Sequence, residues 1–340
     1  MGCLFSQQSA VADSATAHED TRMNVDVVVT TYNRAELLRT TLLSLLRHQT
    51  PSAMPRRVIV VNNRCSDNTD KVIEEMAVLF DGRLTRVFED QPGLSHARNA
   101  GIRASSGDVI AFLDDDEEIT ATWYPTLFES FQDSELSFLG GAILPNWKSE
   151  PPSWLPVREF SGVIGMVDAS DTVLSYDENF EGILMGGNSA FRRKVFDQIG
   201  IYNVALGRGP SGLGAGEDHD LYYRLRAAKL VGRYEPTFAI LHLVPEDRLT
   251  AKYFRRWMFG QAVSQGRMDR HAEEGVPLML GIPRHHLGTA ARSSWNVLSS
   301  AFCGKFSRKS AFLCELEWRR TIGLLCGTHR WLATAFRVRL

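Results

Sequence analysis

Val109-Ile110-Ala111-Phe112-Leu113-Asp114-Asp115-Asp116-Glu117-Glu118 runs an unbroken apolar segment straight into five acidic residues. An apolar run of this length reads as a parallel strand buried on both faces. Working outward, the same order of apolar run and helical pattern occurs three times before it. Residues 25–30 precede Leu38, Leu42, Leu45 and Leu46 at helical spacing. Residues 57–61 precede Val72, Ile73, Met76, Leu79 and Phe80, and residues 84–88 precede a helix over 94–104. The acidic run is itself followed by a helical pattern over 121–131. Four such units predict an α/β fold, a mostly parallel twisted sheet with helices on both faces. Asn33 with Glu36 predicts a capping box at the first helix.

Ligands of such sheets bind outside the carboxyl ends of the strands. The residues there are Thr30-Thr31-Tyr32-Asn33-Arg34, Asn62-Asn63, Glu89-Asp90-Gln91 and Asp114-Asp115-Asp116. All four sets are polar, so they predict one rim of a cleft. Past residue 140 the pattern weakens. A loop is expected over 145–156, order over 184–191, a short helix over 194–199 and a glycine-rich loop over 207–216. A helix over 218–229 and a strand over 234–241 complete this part. The expected division is a polar, disordered tail over 1–22, a sheet-bearing domain over 23–260 and a helical extension over 261–340.

The chain has 340 residues, 44% hydrophobic and 23% charged, with a formal net charge of −2. That balance argues against a nucleic-acid partner. The charge is uneven, with ten Lys/Arg against only Glu315 and Glu317 from Gly281 to Leu340. Trp295, Phe302, Phe306, Trp318, Trp331 and Phe336 are interleaved with these cations. Such a pattern over 285–340 suits peripheral contact with an anionic membrane face, or helices packed on the sheet domain with a solvated basic side. No stretch reaches the ~18 apolar residues of a membrane span. Five cysteines show no metal-ligand spacing and read as reduced thiols, so the expected setting is cytoplasmic, with the inner face of the membrane as its alternative placement. Met1-Gly2-Cys3-Leu4-Phe5-Ser6 matches a short acylation pattern that also occurs by chance.

Two carboxylates at i and i+2 of an extended backbone point the same way. Asp114 and Asp116 are therefore expected to face one point at the strand end. Hard oxygen donors suit Mg²⁺ or Mn²⁺ with diphosphate oxygens completing the shell. Glu117 and Glu118 are expected in the first turn of the next helix, where the macrodipole favours acids.

These segments resemble the family 2 glycosyltransferases of GT-A fold. The resemblance rests on residues 28–34 and 60–63, on Gly93-Leu94-Ser95-His96-Ala97-Arg98-Asn99-Ala100-Gly101, and on residues 110–116. Gly187-Asn188-Ser189-Ala190-Phe191-Arg192 and Gly216-Glu217-Asp218-His219-Asp220-Leu221 complete the order, over roughly residues 24–260. It implies an inverting enzyme with a divalent metal cofactor (Mn or Mg), a nucleotide-sugar donor and a glycan or lipid-linked hydroxyl acceptor. Thr30, Tyr32 and Arg34 should meet base and phosphates, since Tyr packs on a base and Arg forks onto phosphate. Asn62 and Asn63 stand where many members carry an acid that reads the base. Arg98 lies in a segment that approaches the diphosphate. The resemblance assigns Asp116 to the metal, Asp114 to ribose or metal, and Asp218 to the catalytic base. Spacing alone does not separate Asp218 from Glu217. Asn188, in the Gly-Gly-Asn segment, is a candidate for binding acceptor or donor-sugar hydroxyls, and Asp220 for binding the acceptor. His242 reads either as a third metal ligand or as a structural strand-end residue. Tyr253-Phe254-Arg255-Arg256-Trp257 departs from the QxxRW pattern of processive synthases at its first position. Two other readings compete. A sugar-nucleotide pyrophosphorylase would open with a glycine-rich loop, and an inactive binding module would have lost its acids. Neither is the case here.

Overall fold

The computed structural model describes residues 22–208, 215–269, 278–279, 282–302, 307–329 and 332. The acylation pattern, the tail over 1–21, most of the 207–216 segment, Phe306, Trp331 and Phe336 lie outside the described residues.

β1 (Val25–Thr31), α1 (Ala35–Arg47), β2 (Arg56–Asn62), α2 (Thr69–Leu79), β3 (Leu84–Phe88), α3 (Leu94–Ala104) and β4 (Val109–Asp114) follow in strict alternation. The four strands are parallel and lie in the order β3-β2-β1-β4. Successive side chains of a strand face opposite ways. Val25, Val27 and Val29 of β1 therefore join Leu38, Leu42 and Leu45 of α1 in one core. Val28 joins Ala97 and Ala100 of α3 in the core on the other face. Both faces of β1, β4 and the second half of β2 are dry, which is why they are mainly apolar, whereas β3, at the sheet edge, is largely exposed.

The expected capping box at α1 does not form. Asn33 is in the left-handed region (φ 53°), and its Oδ1 accepts from the Ser66 amide at 2.7 Å. Asp67 supplies the cap, accepting from the Ala35 amide at 3.1 Å. The cap comes from the next βα loop, a partner that local spacing does not reveal.

The second half builds the rest of the sheet from β5 (Glu117–Ile119), α4 (Trp123–Ser130), β6 (Phe138–Trp147), β7 (Leu174–Ser175), β8 (Ser189–Arg192), α5 (Lys194–Ile199), α6 (Glu217–Ala227) and β9 (Gly232–Val244). The order continues from β4 as β8-β6-β9-β5, with β7 paired to β9. β8 runs antiparallel to β4 and β6, whereas β6 and β9 are parallel. Glu117 and Glu118 thus lie in a strand against Leu241 and His242, not in a helix. The expected loop over 145–156 begins later, because β6 extends to Trp147. Gly140, Gly141 and Pro145 disguise that strand. β8 pairs only the first residues of β6, so an amide is not required of Pro145 on that side.

Behind the sheet come α7 (Ala251–Asp269), the short hairpin of β10 (Leu278–Met279) and β11 (Ile282–Pro283), α8 (Arg284–Phe302) and α9 (Arg308–Thr328). A Cβ on Gly323 would sit 2.6 Å from the Phe259 carbonyl oxygen, so α7 and α9 touch backbone to backbone. Leu155, Ile164, Val244, Phe254, Met258, Phe312 and Leu316 form the core that joins α7 and α9 to the end of β9. The expected boundary at residue 260 falls inside α7.

Candidate active site

The carboxyl ends of β1 to β4 do converge on one acidic rim, and its partners come from far along the chain. The chain turns at residues 115–116, between β4 and β5, so the premise that put Asp114 and Asp116 on one point fails. Asp114 turns toward Arg98, 3.4 Å from its guanidinium. Asp115 is buried, accepting from Thr31 Oγ1 at 2.7 Å and from Arg34 at 2.9 Å. Asp116 Oδ2 accepts from Arg34 at 3.0 Å and from Arg248 at 3.2 Å.

β9 delivers His242 to the same carboxylate, with Nε2 3.7 Å from Asp116 Oδ1. Burial lowers the imidazole pKa, with Asp116 opposing and Arg248 assisting, so the ring is neutral at pH 7. Arg248 has only N–H groups to offer, so Nε2 accepts from it at 3.0 Å and the proton sits on Nδ1. That Nδ1 is buried without a hydrogen-bond partner. Among the described residues no group of three or more His, Cys, Asp or Glu forms a ready metal cage. The donor set nevertheless fits a divalent cation. A carboxylate and an unprotonated imidazole lie close enough to share one ion at bonds of about 2.1 Å. Two guanidinium groups already occupy the carboxylate, a place shaped for positive charge.

The second half of the rim is organised by Arg98, whose side chain is 2% exposed. Its NH1 donates to Asp218 Oδ1 at 2.7 Å and lies 3.9 Å from Glu217 Oε1. Its guanidinium stacks over the Tyr202 ring at 5.3 Å. Arg98 is thus the buried counter-charge that holds Asp114, Asp218 and Glu217 together, rather than an open arm reaching for diphosphate. Gly186 and Gly187 permit this approach. A Cβ on Gly186 would collide with Arg98 and Asp218, and one on Gly187 with Glu117.

Glu117 lies beneath these groups, fully buried, its Oε2 accepting from the Asp114 amide at 2.7 Å. Burial drives its carboxyl far above the ordinary range, and the charges of Asp114 and Asp116 add to this. Burial also pushes Glu217 up to about 7, helped by Asp218 and opposed by Arg98. A raised folded-state pKa means that the folded chain keeps a proton which the unfolded chain releases near 4.5. The contribution to stability is therefore full below pH 4.5 and lost as pH rises through about 7. Glu217→Gln in the metal-free protein should gain on the order of 3 kcal/mol at pH 8. Urea unfolding across pH 4–8 checks this. A residual slope is expected from Asp115, which burial pushes up to about 6, Arg34 opposing and Asp116 assisting. A profile for Glu217→Gln that matches wild type contradicts the assignment.

Several expected binding residues serve the fold instead. Asn188 is 1% exposed, donates to the Ala142 and Phe238 carbonyls at 3.0 and 2.7 Å, and accepts from Trp123 Nε1 at 2.9 Å. It has no amide hydrogen left for an acceptor. Asn188→Ala should cost about 3 kcal/mol in urea unfolding, because it strands three buried polar groups. An unchanged stability with a raised acceptor KM would restore the binding role. Asp220 pairs with Arg224 of the same helix at 2.7 Å. Asn62 donates to Asp70 and accepts from the Cys65 amide. Asn63 ties the Glu89 and Gln91 carbonyls to the Gly93 amide. Both are buried and spoken for, so neither is placed to read a base. Thr30 is buried opposite Asp114 in the β1–β4 register. Tyr32 is 58% exposed at the rim, with its ring face free for stacking. Sequence reasoning did not single out Thr31, Asp115 or Arg248 as site residues. The only local hint of Arg248 was its position six residues after His242.

A nucleotide-binding α/β sheet that gathers acids at its strand ends and a second acidic pair on a late helix defines the GT-A class of glycosyltransferase. The family model for Glycosyl transferase family 2 matches residues 26–200. The chain belongs to that family and is a nucleotide-sugar-dependent glycosyltransferase. It is 24% identical over 293 residues to the succinoglycan biosynthesis protein ExoM of Rhizobium meliloti, covering 86% of this chain and 85% of that protein. It is 28% identical over 191 residues to the glucosyl-dolichyl phosphate glucuronosyltransferase of Haloferax volcanii, covering 55% and 58%. Its fold is similar to the mannosyltransferase PcManGT from Pyrobaculum calidifontis, solved in complex with GDP-Man and Mn²⁺. The TM-score is 0.56 at 19% identity, over 93% of this chain and 84% of that one.

Proposed function

We propose that the chain transfers a sugar from a nucleoside-diphosphate donor to a hydroxyl of a glycan or lipid-linked acceptor, with inversion, through the Asp116–His242 and Asp218 centres. The observation that carries this reading is the meeting of Asp116, His242 and three arginines with Asp218 on one strand-end rim. Asp116 and His242 would hold Mn²⁺ or Mg²⁺, with Asp114 turned to ribose or to the ion. Such an ion, when bound, offsets the charge that grows on the departing diphosphate. The ring of Tyr32 covers the base. Arg34 and Arg248, freed from Asp116, turn to the phosphate oxygens. Asp218 accepts the acceptor hydroxyl's proton as that oxygen bonds to the anomeric carbon and the sugar–phosphate bond breaks on the opposite side. Arg98 fixes the direction of Asp218 during this step.

The test is thermal unfolding with UDP-, GDP- and dTDP-sugars, each with and without Mn²⁺. One donor should raise the midpoint only when the cation is present, the shift reflecting the ~3 kcal/mol of stabilisation that ligand at a hundred times its Kd provides. No donor responding with the cation would end this reading.

The helical extension supports a place at the cytoplasmic face of a membrane. No described helix is long and apolar enough to cross one. On α8, Arg284, Gly288, Ala291, Arg292, Trp295 and Leu298 form one exposed stripe, with Trp295 70% and Leu298 54% accessible. A basic stripe with an exposed Trp suits an interfacial helix. Trp295→Ser should weaken flotation with anionic vesicles, and unchanged flotation would remove this placement.

A further inference from the structure

α7 carries Lys252, Arg255, Arg256 and Phe259 on one face, since residues at i, i+3, i+4 and i+7 share a side of a helix. α9 brings Arg319 opposite them, and the five line an open groove of about 350 Å³. The other face of α7 is committed to the core through Phe254 and Met258. Glu315 is the acid that serves the groove. It takes two hydrogen bonds of 2.7 Å from Arg255 and one of 2.8 Å from Arg319, which locks both guanidinium groups in place. Lys252 and Arg256 are exposed, with no hydrogen-bond or acidic partner among the described residues. The groove thus sets four cations against one carboxylate, which pairs with two of them, and none of the four is paired with the acidic rim described above.

We propose that this groove binds a phosphate group, either on an anionic lipid headgroup or as a free anion. Phosphate is matched by the guanidinium N–H groups that Glu315 leaves open on Arg255 and Arg319, by the whole guanidinium of Arg256, and by the Lys252 ammonium, which adapts as a point charge. Phe259 closes one wall with apolar surface, which keeps water from screening that side. Orienting the two fixed arginines costs no further entropy on binding, because Glu315 has already done so.

The test uses the full chain at about 0.15 M salt, where weak long-range attraction is screened. Inorganic pyrophosphate binding is followed by calorimetry, and sedimentation is followed with phosphatidylglycerol-containing and pure phosphatidylcholine vesicles. Wild type is compared with Lys252→Glu/Arg256→Glu, and with Arg47→Glu/Lys71→Glu as a control of equal charge change on α1 and α2. Both pairs are exposed, so the fold is retained, and Lys252→Gln/Arg256→Gln repeats the measurement without charge reversal. The groove variant should bind at least tenfold more weakly, and the control within twofold of wild type. Loss confined to anionic vesicles identifies a lipid headgroup as the source. Loss of pyrophosphate binding as well, or alone, identifies the free anion. The proposal is overturned if wild type binds neither probe, if the groove variant binds as wild type does, or if the control loses as much.

Discussion

Asp116→Ala is expected to lower sugar transfer by about a thousandfold or more and to abolish Mn²⁺ binding. The effect is large because one carboxylate carries several duties. It is the acid that His242 approaches, at 3.7 Å, and both Arg34 and Arg248 donate to it. Its removal deletes the carboxylate placed beside His242 to hold the cation and leaves Arg248, 9% exposed, with the His242 ring as its side-chain partner among the described residues. A buried guanidinium without its anion costs roughly 3–5 kcal/mol, so the variant should also be less stable. Asp116→Asn keeps the shape and separates the two losses. It should fold better than Asp116→Ala while remaining as inactive. The direct readout is Mn²⁺ titration followed by electron paramagnetic resonance. Wild-type affinity in Asp116→Ala would move the metal elsewhere and undo the assignment of this corner.

Asp218→Asn is expected to lower kcat by about a hundredfold to ten-thousandfold, with kcat/KM falling in parallel. A base contributes only once the acceptor proton begins to move, so donor affinity should stay within a few-fold of wild type. Glu217→Gln provides the contrast. Glu217 is 3.9 Å from Arg98 and protonates near neutral pH, whereas Asp218 holds the 2.7 Å ion pair with that arginine. Glu217 is only partly ionised at pH 7 and stands farther from Arg98 than Asp218 does, so with Asp218 as the base Glu217→Gln should retain most of the rate. Full activity in Asp218→Asn together with loss in Glu217→Gln would exchange the two roles.

Half of the sheet was legible because its signal is local. Buried parallel strands must be apolar on both faces, and β1, β2 and β4 announce themselves this way. β6 was missed because Gly140, Gly141 and Pro145 look like breakers, and only the neighbouring strands make them acceptable. The same division runs through the site. The acids after β4 and before α6 were visible as residue types at strand and helix ends. Their partners were not visible, since Thr31 meets Asp115 across 84 residues, Arg98 meets Asp218 across 120, and Arg248 meets Asp116 across 132. Glu117 and Glu118 looked like helix-start acids until the pairing of β5 with β9 turned one of them into the core.

The order of residues alone determined that this chain builds a doubly covered parallel sheet with its acids at the carboxyl ends of the strands, because periodicity and strand-end polarity are local properties. Only the tertiary structure decided which polar side chains remain available for chemistry. Asn62, Asn63 and Asn188 are as capable of binding a ligand as any amide, yet the fold consumes their hydrogen bonds in joining loops and strands. Arg98 could have reached a phosphate, but burial among three carboxylates makes it the counter-charge that holds them. An amide or a guanidinium has the same donors wherever it lies, and its duty is set by what packing brings within about 3 Å of it.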